Sequence, residues 1–326
     1  MIKIKRTVFL VALLGLLVAI GVVWQNTRSS DKLTRTPFPE FGSFPMAKYY
    51  LPKLNILIKK PFPTFPETVT VYKIAPPLLD DKTLTEYAKE HFGIEGEVTR
   101  NKGIRVELIK ISDGRQEVEF DTEGSYFYTR IDYRSKTEAD TAQRVGRDAY
   151  PDDERCKSIA VDFLKEHRVL PEDAYYRGLA DNTSGAGVVS VGFGRELEGM
   201  RVWGAGAGIG VDIAKDGTVA TLFKAWQDLL VYKAYPIKTP KEAFADLKAG
   251  RAFMDEEGLV RVDEKEGELV EISLVYVSLP ERQKYLTPFY QFRIKMSEGY
   301  LLCFVEAVRN ECFSDKEITE RTLLKD

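Results

Sequence analysis

Histidine and cysteine are nearly missing from this chain, with two of the first and three of the second in 326 residues. No Cys/His spacing matches a zinc site. No His-Glu-x-x-His, EF-hand loop, Gly-x-Ser-x-Gly or Ser-His-Asp set stands out. No metal or cofactor is therefore expected, no catalytic residue is nominated, and the chain is read as a non-enzyme. An excess of positive charge is also missing. The net charge is −3, which argues against nucleic acid, whose phosphates select a basic face. Cys303 and Cys312 invite pairing. However, 301–308 reads as one strand with a turn at Arg309-Asn310, which sets Cys312 opposite Ala307, roughly 13 Å along the strand from Cys303. No disulfide is expected there. Cys156 falls on the apolar face of a helix.

Against this sparse chemistry stands one long apolar run. Residues 7–24 are apolar almost without break, and Lys3, Lys5 and Arg6 precede them. About 18 apolar residues just cross a bilayer core, and basic flanks stay on the cytoplasmic side. The expectation is a single-pass anchor over 7–24, with 1–6 cytoplasmic and the body extracytoplasmic at the cell membrane. A cleaved signal peptide is the rival, although its apolar stretch is usually shorter. Gly15 and Ala19 form a small-xxx-small pair, a candidate transmembrane contact. Residues 25–78 open polar and become dense in proline and aromatics. Disordered segments lack such aromatics. An extended strap laid on the body is expected, with a partner-binding segment as the alternative.

The most legible stretch is 187–226. Turns near Glu198-Gly199 and Asp216-Gly217 separate β-rich runs, which reads as a three-stranded antiparallel meander. On the middle strand Ala205, Ala207, Ile209, Val211 and Ile213 share one face, and Gly204, Gly206, Gly208 and Gly210 share the other. A bare glycine face weakens a strand, so something should press close to it. A covering helix is one occupant; a ligand or a partner's backbone is the other. The four glycines are thus a candidate partner or packing face. Their spacing fails the phosphate-binding pattern, and no helix start follows.

A unit also recurs. Helices are expected over 81–92, 153–167 and 239–248, each followed by strands, and His91 and His167 fall at the same place near two helix ends. Thr239, Pro240 and Glu242 spell a capping box with proline at the first helical position, and Gly250 stops the third helix. The expected fold is α+β: an N-terminal transmembrane helix, then about three helix-plus-meander units at 79–134, 152–232 and 235–310, with a tail over 311–326.

The runs Phe193-x-Arg195-x-Leu197-x-Gly199-x-x-Val202-x-Gly204-x-Gly206, Asp216-Gly217-x-Val219 and Trp226 resemble the membrane-anchored YycH/YycI-type regulatory proteins of Gram-positive bacteria. So do Tyr235-Pro236-Ile237-x-Thr239-Pro240-x-Glu242-Ala243-Phe244 and Tyr285-Leu286-x-Pro288-Phe289-Tyr290-x-Phe292. The helix-plus-meander unit is similar to PepSY-type modules. The likeness covers 152–308. It implies an extracytoplasmic body that controls a sensor histidine kinase of a two-component system, or another envelope protein, by contact and without catalysis. The alternative is an envelope enzyme, or a PepSY-like inhibitory module of an envelope peptidase. Clustered carboxylates in a deep pocket would favour the enzyme, and a sheet edge or an apolar groove the binder.

Overall fold

The computed structural model describes residues 32–33, 50–77, 79–102, 107–133, 146–183, 186–204, 206–258, 264–278 and 283–314. The chain divides into two compact units, 1–37 with 309–326, and 38–308. In the first, Leu33 bridges Phe313 in parallel, through Leu33 N–H to the Cys312 carbonyl at 2.9 Å and Ser314 N–H to the Leu33 carbonyl at 2.8 Å. The rest of the description concerns the second.

Three α-helices are described from end to end, and each starts where a capping side chain replaces the missing carbonyl partner. For α1 (Asp81–Phe92) the Asp80 carboxylate accepts from Thr83 N–H at 3.0 Å. Gly93, at φ 68°, ends the helix, and its N–H reaches the Lys89 carbonyl. For α2 (Asp153–Glu166) the Asp152 carboxylate accepts from Arg155 N–H at 2.8 Å. For α3 (Pro240–Lys248) the expected capping box is complete, with Thr239 N–H on Glu242 Oε2 at 2.7 Å and Glu242 N–H on Thr239 Oγ1 at 3.2 Å.

The strands are β1 (Asn55–Ile58), β2 (Thr68–Ile74), β3 (Glu97–Lys102), β4 (Glu107–Ser112), β5 (Gln116–Asp121), β6 (Tyr126–Arg130), β7 (Ala174–Asn182), β8 (Val188–Leu197) and β9 (Met200–Trp203). They continue with β10 (Ala207–Ile213), β11 (Val219–Trp226), β12 (Leu229–Pro236), β13 (Phe253–Gly258), β14 (Glu266–Val277), β15 (Tyr285–Leu286), β16 (Pro288–Lys295) and β17 (Gly299–Glu306). Fourteen of them form one sheet, ordered β13-β17-β16-β14-β9-β8-β10-β11-β6-β5-β4-β3, with β1 joined to β14 and β7 to β8. A second sheet is β12-β2-β15.

This corrects the expected α+β class of separate helix-plus-meander units behind a transmembrane helix. The protein is mostly β, built on one large mixed sheet. The reason lies in the edges. A free strand edge carries unpaired N–H and C=O groups, and these strands satisfy theirs on the neighbouring meander. β6 pairs antiparallel with β11 over 126–129 and 221–224. β9 pairs in parallel with β14 at Val202–Tyr276 and Trp203–Val277. The proline-rich segment also contributes strands: β1 lies parallel to β14, and β2 is the centre of the small sheet.

α1 and α2 cover one face of β4–β6, β8, β10 and β11. Leu84, Ala88 and Phe92 of α1 and Cys156, Ala160 and Leu164 of α2 share a core with Ile111, Tyr128, Val191, Val211 and Leu222. His91 and His167 meet where the two helices end. Each ring Nδ1 lies against the other residue's carbonyl, His91 Nδ1 at 2.7 Å from the His167 oxygen. A carbonyl only accepts, so both Nδ1 atoms carry the proton and donate. α3 packs Ala243 and Leu247 into a second core with Tyr276, Tyr290 and Phe292, and Phe244 lies at its rim against Phe62, ring centroids 5.6 Å apart.

The expected localisation is also corrected. Among the described residues no helix is long and apolar enough to cross a membrane, so single-pass anchoring has no support in the structure. The run 7–24, with Gly15 and Ala19, lies outside the described residues. Cys156 and Cys303 are buried free thiols, and no disulfide joins Cys303 to Cys312.

Candidate protein-contact face

The sheet face turned away from α1 and α2 is built by register. One row of residues crosses seven strands: Lys110 beside Glu119, Glu119 beside Phe127, Phe127 beside Phe223, Phe223 beside Gly210, Gly210 beside Gly192, and Gly192 beside Gly178. Directly paired residues point to the same side of a sheet, so these side chains stand together. The neighbours of each on its own strand, such as Tyr128, Leu222, Val211 and Val191, point into the helix-covered core.

The row has relief. Phe127 and Phe223 form a ridge, with ring centroids 4.7 Å apart, and Phe127 is 51% exposed. Beside the ridge lies a trough floored by glycine. A Cβ on Gly210 would meet no atom within 4 Å, and one on Gly208 would meet only the Phe193 carbonyl oxygen at 3.9 Å. A Cβ on Gly192 would meet only the Gly178 carbonyl at 3.6 Å and Arg177 Cβ at 3.9 Å. Neither a helix nor a strand of the described residues presses on this floor.

Both ends of the trough are closed. At one end the Tyr175 ring lies over Gly194, where an added Cβ would come within 2.7 Å, and the Arg201 guanidinium stacks on that ring at 5.1 Å. At the other end is a polar cluster on Asp212. Ser190 Oγ donates to Asp212 Oδ1 at 2.5 Å, Thr221 Oγ1 donates to Oδ2 at 2.6 Å, and the Asn182 amide donates to Ser190 Oγ at 2.8 Å. A cleft of about 190 Å³, lined by Thr129, Arg130, Ala186, Val188, Asp212 and Thr221 among others, opens there. Both carboxylate oxygens are engaged, so the cluster braces the strands.

A second charged cluster sits on the helix-covered side. Arg195 is buried and donates from Nε to Asp173 Oδ2 at 2.7 Å and from its terminal nitrogen to the Gln227 carbonyl at 2.6 Å. Trp226 Nε1 donates to Asp173 Oδ1 at 3.2 Å. Nearby Lys224 stands between Tyr126 and Ile209 on the adjacent strands. Burial pushes its pKa down to about 8 against the opposing pull of Asp228 and Asp173, with Arg195 adding to the drop. This ion pair explains the Arg195 of the sequence motif as a fastener between β8, the start of β7 and the end of β11.

The four glycines read as one face do not stay together. The middle strand breaks after Trp203, and β10 begins at Ala207. Gly204 sits at the break with φ 110°, where an added Cβ would lie 2.1 Å from the Ser278 carbonyl oxygen. It serves packing against β14. Gly206 is a half-buried turn residue. Only Gly208 and Gly210 line the trough, and Gly192 and Gly178 join them from β8 and β7. Glycine at alternate positions in both 192–194 and 208–210 was the available signal for that pairing. Nothing in the sequence tied Phe127 to Phe223, because β6 and β11 belong to different meanders. Among the described residues no group of three His, Cys, Asp or Glu side chains could hold a metal ion.

No family model matches the chain, and no curated protein matches it. Among solved structures, an uncharacterized protein from Eubacterium rectale is similar over 79% of this chain and 91% of its own, at 11% identity and a TM-score of 0.42. At that TM-score the likeness decides nothing about function.

Proposed function

We propose that this chain is a regulatory protein that works by protein–protein contact rather than catalysis, and that the ridge and trough of the large sheet are its contact surface. The observation that carries this reading is the uncovered glycine floor beside an aromatic pair in which Phe127 is exposed and Phe223 half-buried. An antiparallel sheet with one face in water normally alternates apolar residues with polar ones on the wet side. Here the wet side offers Gly208, Gly210, Gly192, Phe127 and Phe223 instead. Glycine at those positions weakens the strand and brings no contact of its own, and exposed aromatics are enriched in binding surfaces. The resemblance of 152–308 to YycH/YycI-type regulators makes a sensor histidine kinase the first partner class to try.

The test is the autophosphorylation rate of a purified membrane sensor histidine kinase of a two-component system, measured with and without this chain. The wild-type chain should change the rate, and Phe223→Glu should remove the change while leaving the fold intact by circular dichroism. An effect that survives Phe223→Glu unchanged, or no effect from the wild type, would contradict the reading.

A further inference from the structure

The contact face is complementary to itself. Number the strands outward from β5: Glu119 on β5, Phe127 on β6, Phe223 on β11, Gly210 on β10, Gly192 on β8, and Arg177 beside Gly178 on β7. The sequence of features is acid, ring, ring, glycine, glycine, base. A two-fold axis parallel to the strands, placed midway between β11 and β10, inverts that order. It sets Phe223 over Gly210 of a second copy, Phe127 over its Gly192, and Glu119 beside its Arg177, with each contact made twice. Two features confirm that the charges belong to the face. Arg177 Cβ lies 3.9 Å from where a Gly192 Cβ would be, so the arginine rises at the trough's far wall. Glu119 shares its side of β5 with Glu117, whose carboxylate takes Lys110 at 2.5 Å, and this leaves Glu119 outside that pair. Neither Glu119 nor Arg177 has an ion-pair or hydrogen-bond partner among the described residues.

We infer that the occupant of this face is a second copy of the chain, packed face to face as a two-fold dimer. The inference rests on reading the face as a contact surface, and it names what that surface holds when no other partner occupies it. The physical case is steric and electrostatic. Sheets stack about 10 Å apart, a gap that facing side chains must fill. A phenylalanine fits that gap where the opposing strand carries glycine. Neighbouring strands are about 4.8 Å apart, so the ridge and the trough, two strands apart, repeat at about 10 Å. That offset lets both ridges seat at once. An isologous interface requires each patch to meet its own complement, and the acid-to-base order across the row supplies the charge version of that rule. Two rings of each copy entering the other's trough, rimmed by two ion pairs, is the usual arrangement of an apolar centre with a charged rim.

The experiment is sedimentation velocity on the full chain over a range of concentrations, with a set of variants. The wild type should sediment as a dimer that dissociates on dilution. Glu119→Arg and Arg177→Glu each put like charges face to face and should weaken association about tenfold or more. The double reversal, Glu119→Arg with Arg177→Glu, restores opposite charges and should recover affinity to within about threefold. Phe127→Ser should weaken it as much as either single reversal. All variants share the apolar run 7–24, so association through that run cannot mimic the pattern. A wild type that stays monomeric, a dimer indifferent to the single reversals, or a double reversal that fails to recover would each overturn the inference. The kinase measurement separates the two claims. A monomeric chain whose kinase effect still disappears with Phe223→Glu sinks only the dimer. A dimer that follows the charge pattern while the kinase ignores Phe223→Glu sinks only the proposed function.

Discussion

Two regions of the large sheet, one near its β13 edge and one at its centre, solve the problem of their second face differently. At the β16–β17 end both faces are buried. Tyr290, Phe292, Leu301, Cys303 and Val305 enter the core beneath α3, while Phe289, Leu302 and Phe304 join Phe253, Val275 and Trp203 on the other side. β17 accordingly reads Gly-Tyr-Leu-Leu-Cys-Phe-Val-Glu, a near-continuous apolar run. Along β10 only one face is buried: it reads Ala-Gly-Ile-Gly-Val-Asp-Ile, with buried and half-buried positions in strict alternation. A strand facing water on one side would be expected to place Lys, Glu or Thr at the alternate positions. β10 places glycine there twice. The comparison shows that the trough is neither core nor an ordinary solvated surface, which is the physical basis for treating it as a place of contact.

The largest effect that would sharpen this comparison is in the doubly buried end. Phe304 is fully buried, stacked on Phe253 at 4.4 Å and against Trp203 at 4.4 Å. Phe304→Ala should cost about 3–5 kcal/mol of folding stability. Phe127→Ala, which loses only the exposed pairing with Phe223, should cost no more than about 1 kcal/mol. Denaturant unfolding of both variants in dilute solution measures the gap, and equal losses would erase the distinction between the two regions.

A smaller effect separates the two faces of β11 itself. Lys224 stands on the helix-covered side with its folded-state pKa near 8, set mainly by burial. An unfolded lysine titrates near 10.4. The folded state therefore disfavours the charged form, and the penalty is fully present below about pH 8. Between about pH 8 and 10.4 the unfolded chain holds a proton that the folded chain has released, so stability rises with pH through that window. Lys224→Met should stabilise the protein at pH 7 by about 1–2 kcal/mol, discounted from the full shift because the side chain is only partly buried, and should flatten the rise. Unfolding midpoints at pH 7 and pH 10 for both proteins test this. A variant less stable than wild type at pH 7 would mean the ammonium is better accommodated than burial implies.

Much of the local structure was legible because its causes are local. Thr239 marks a helix start by capping chemistry alone, and the three expected helices end within a residue of where the structure ends them. The class of the fold was not legible, because it depends on which meander edges meet. The 126–129 segment finds its partner at 221–224, about ninety residues away, and no spacing rule carries that information. β3 was missed because Glu-Val-Thr-Arg-Asn-Lys lacks alternation; it is an edge strand with Val98 as its one apolar contact to the core. The glycine alternation of 204–210 was visible. The break at Gly204 was not, since the need for a residue without Cβ there arises from the approach of Ser278, which lies 74 positions later. Half of the candidate face was thus readable as a row of glycines on one strand. The ridge that completes it exists only once β6 and β11 are joined.

The most direct test of the account is the denaturant stability of Gly210→Phe in dilute monomeric protein. If the trough is an uncovered contact surface, the new ring enters open space on a strand that gains by losing glycine, and stability should stay within about 0.5 kcal/mol of wild type or rise. A loss of about 1–3 kcal/mol, the usual cost of forcing extra volume into a packed site, would show that the chain covers this face itself and would contradict the reading of it as a contact surface.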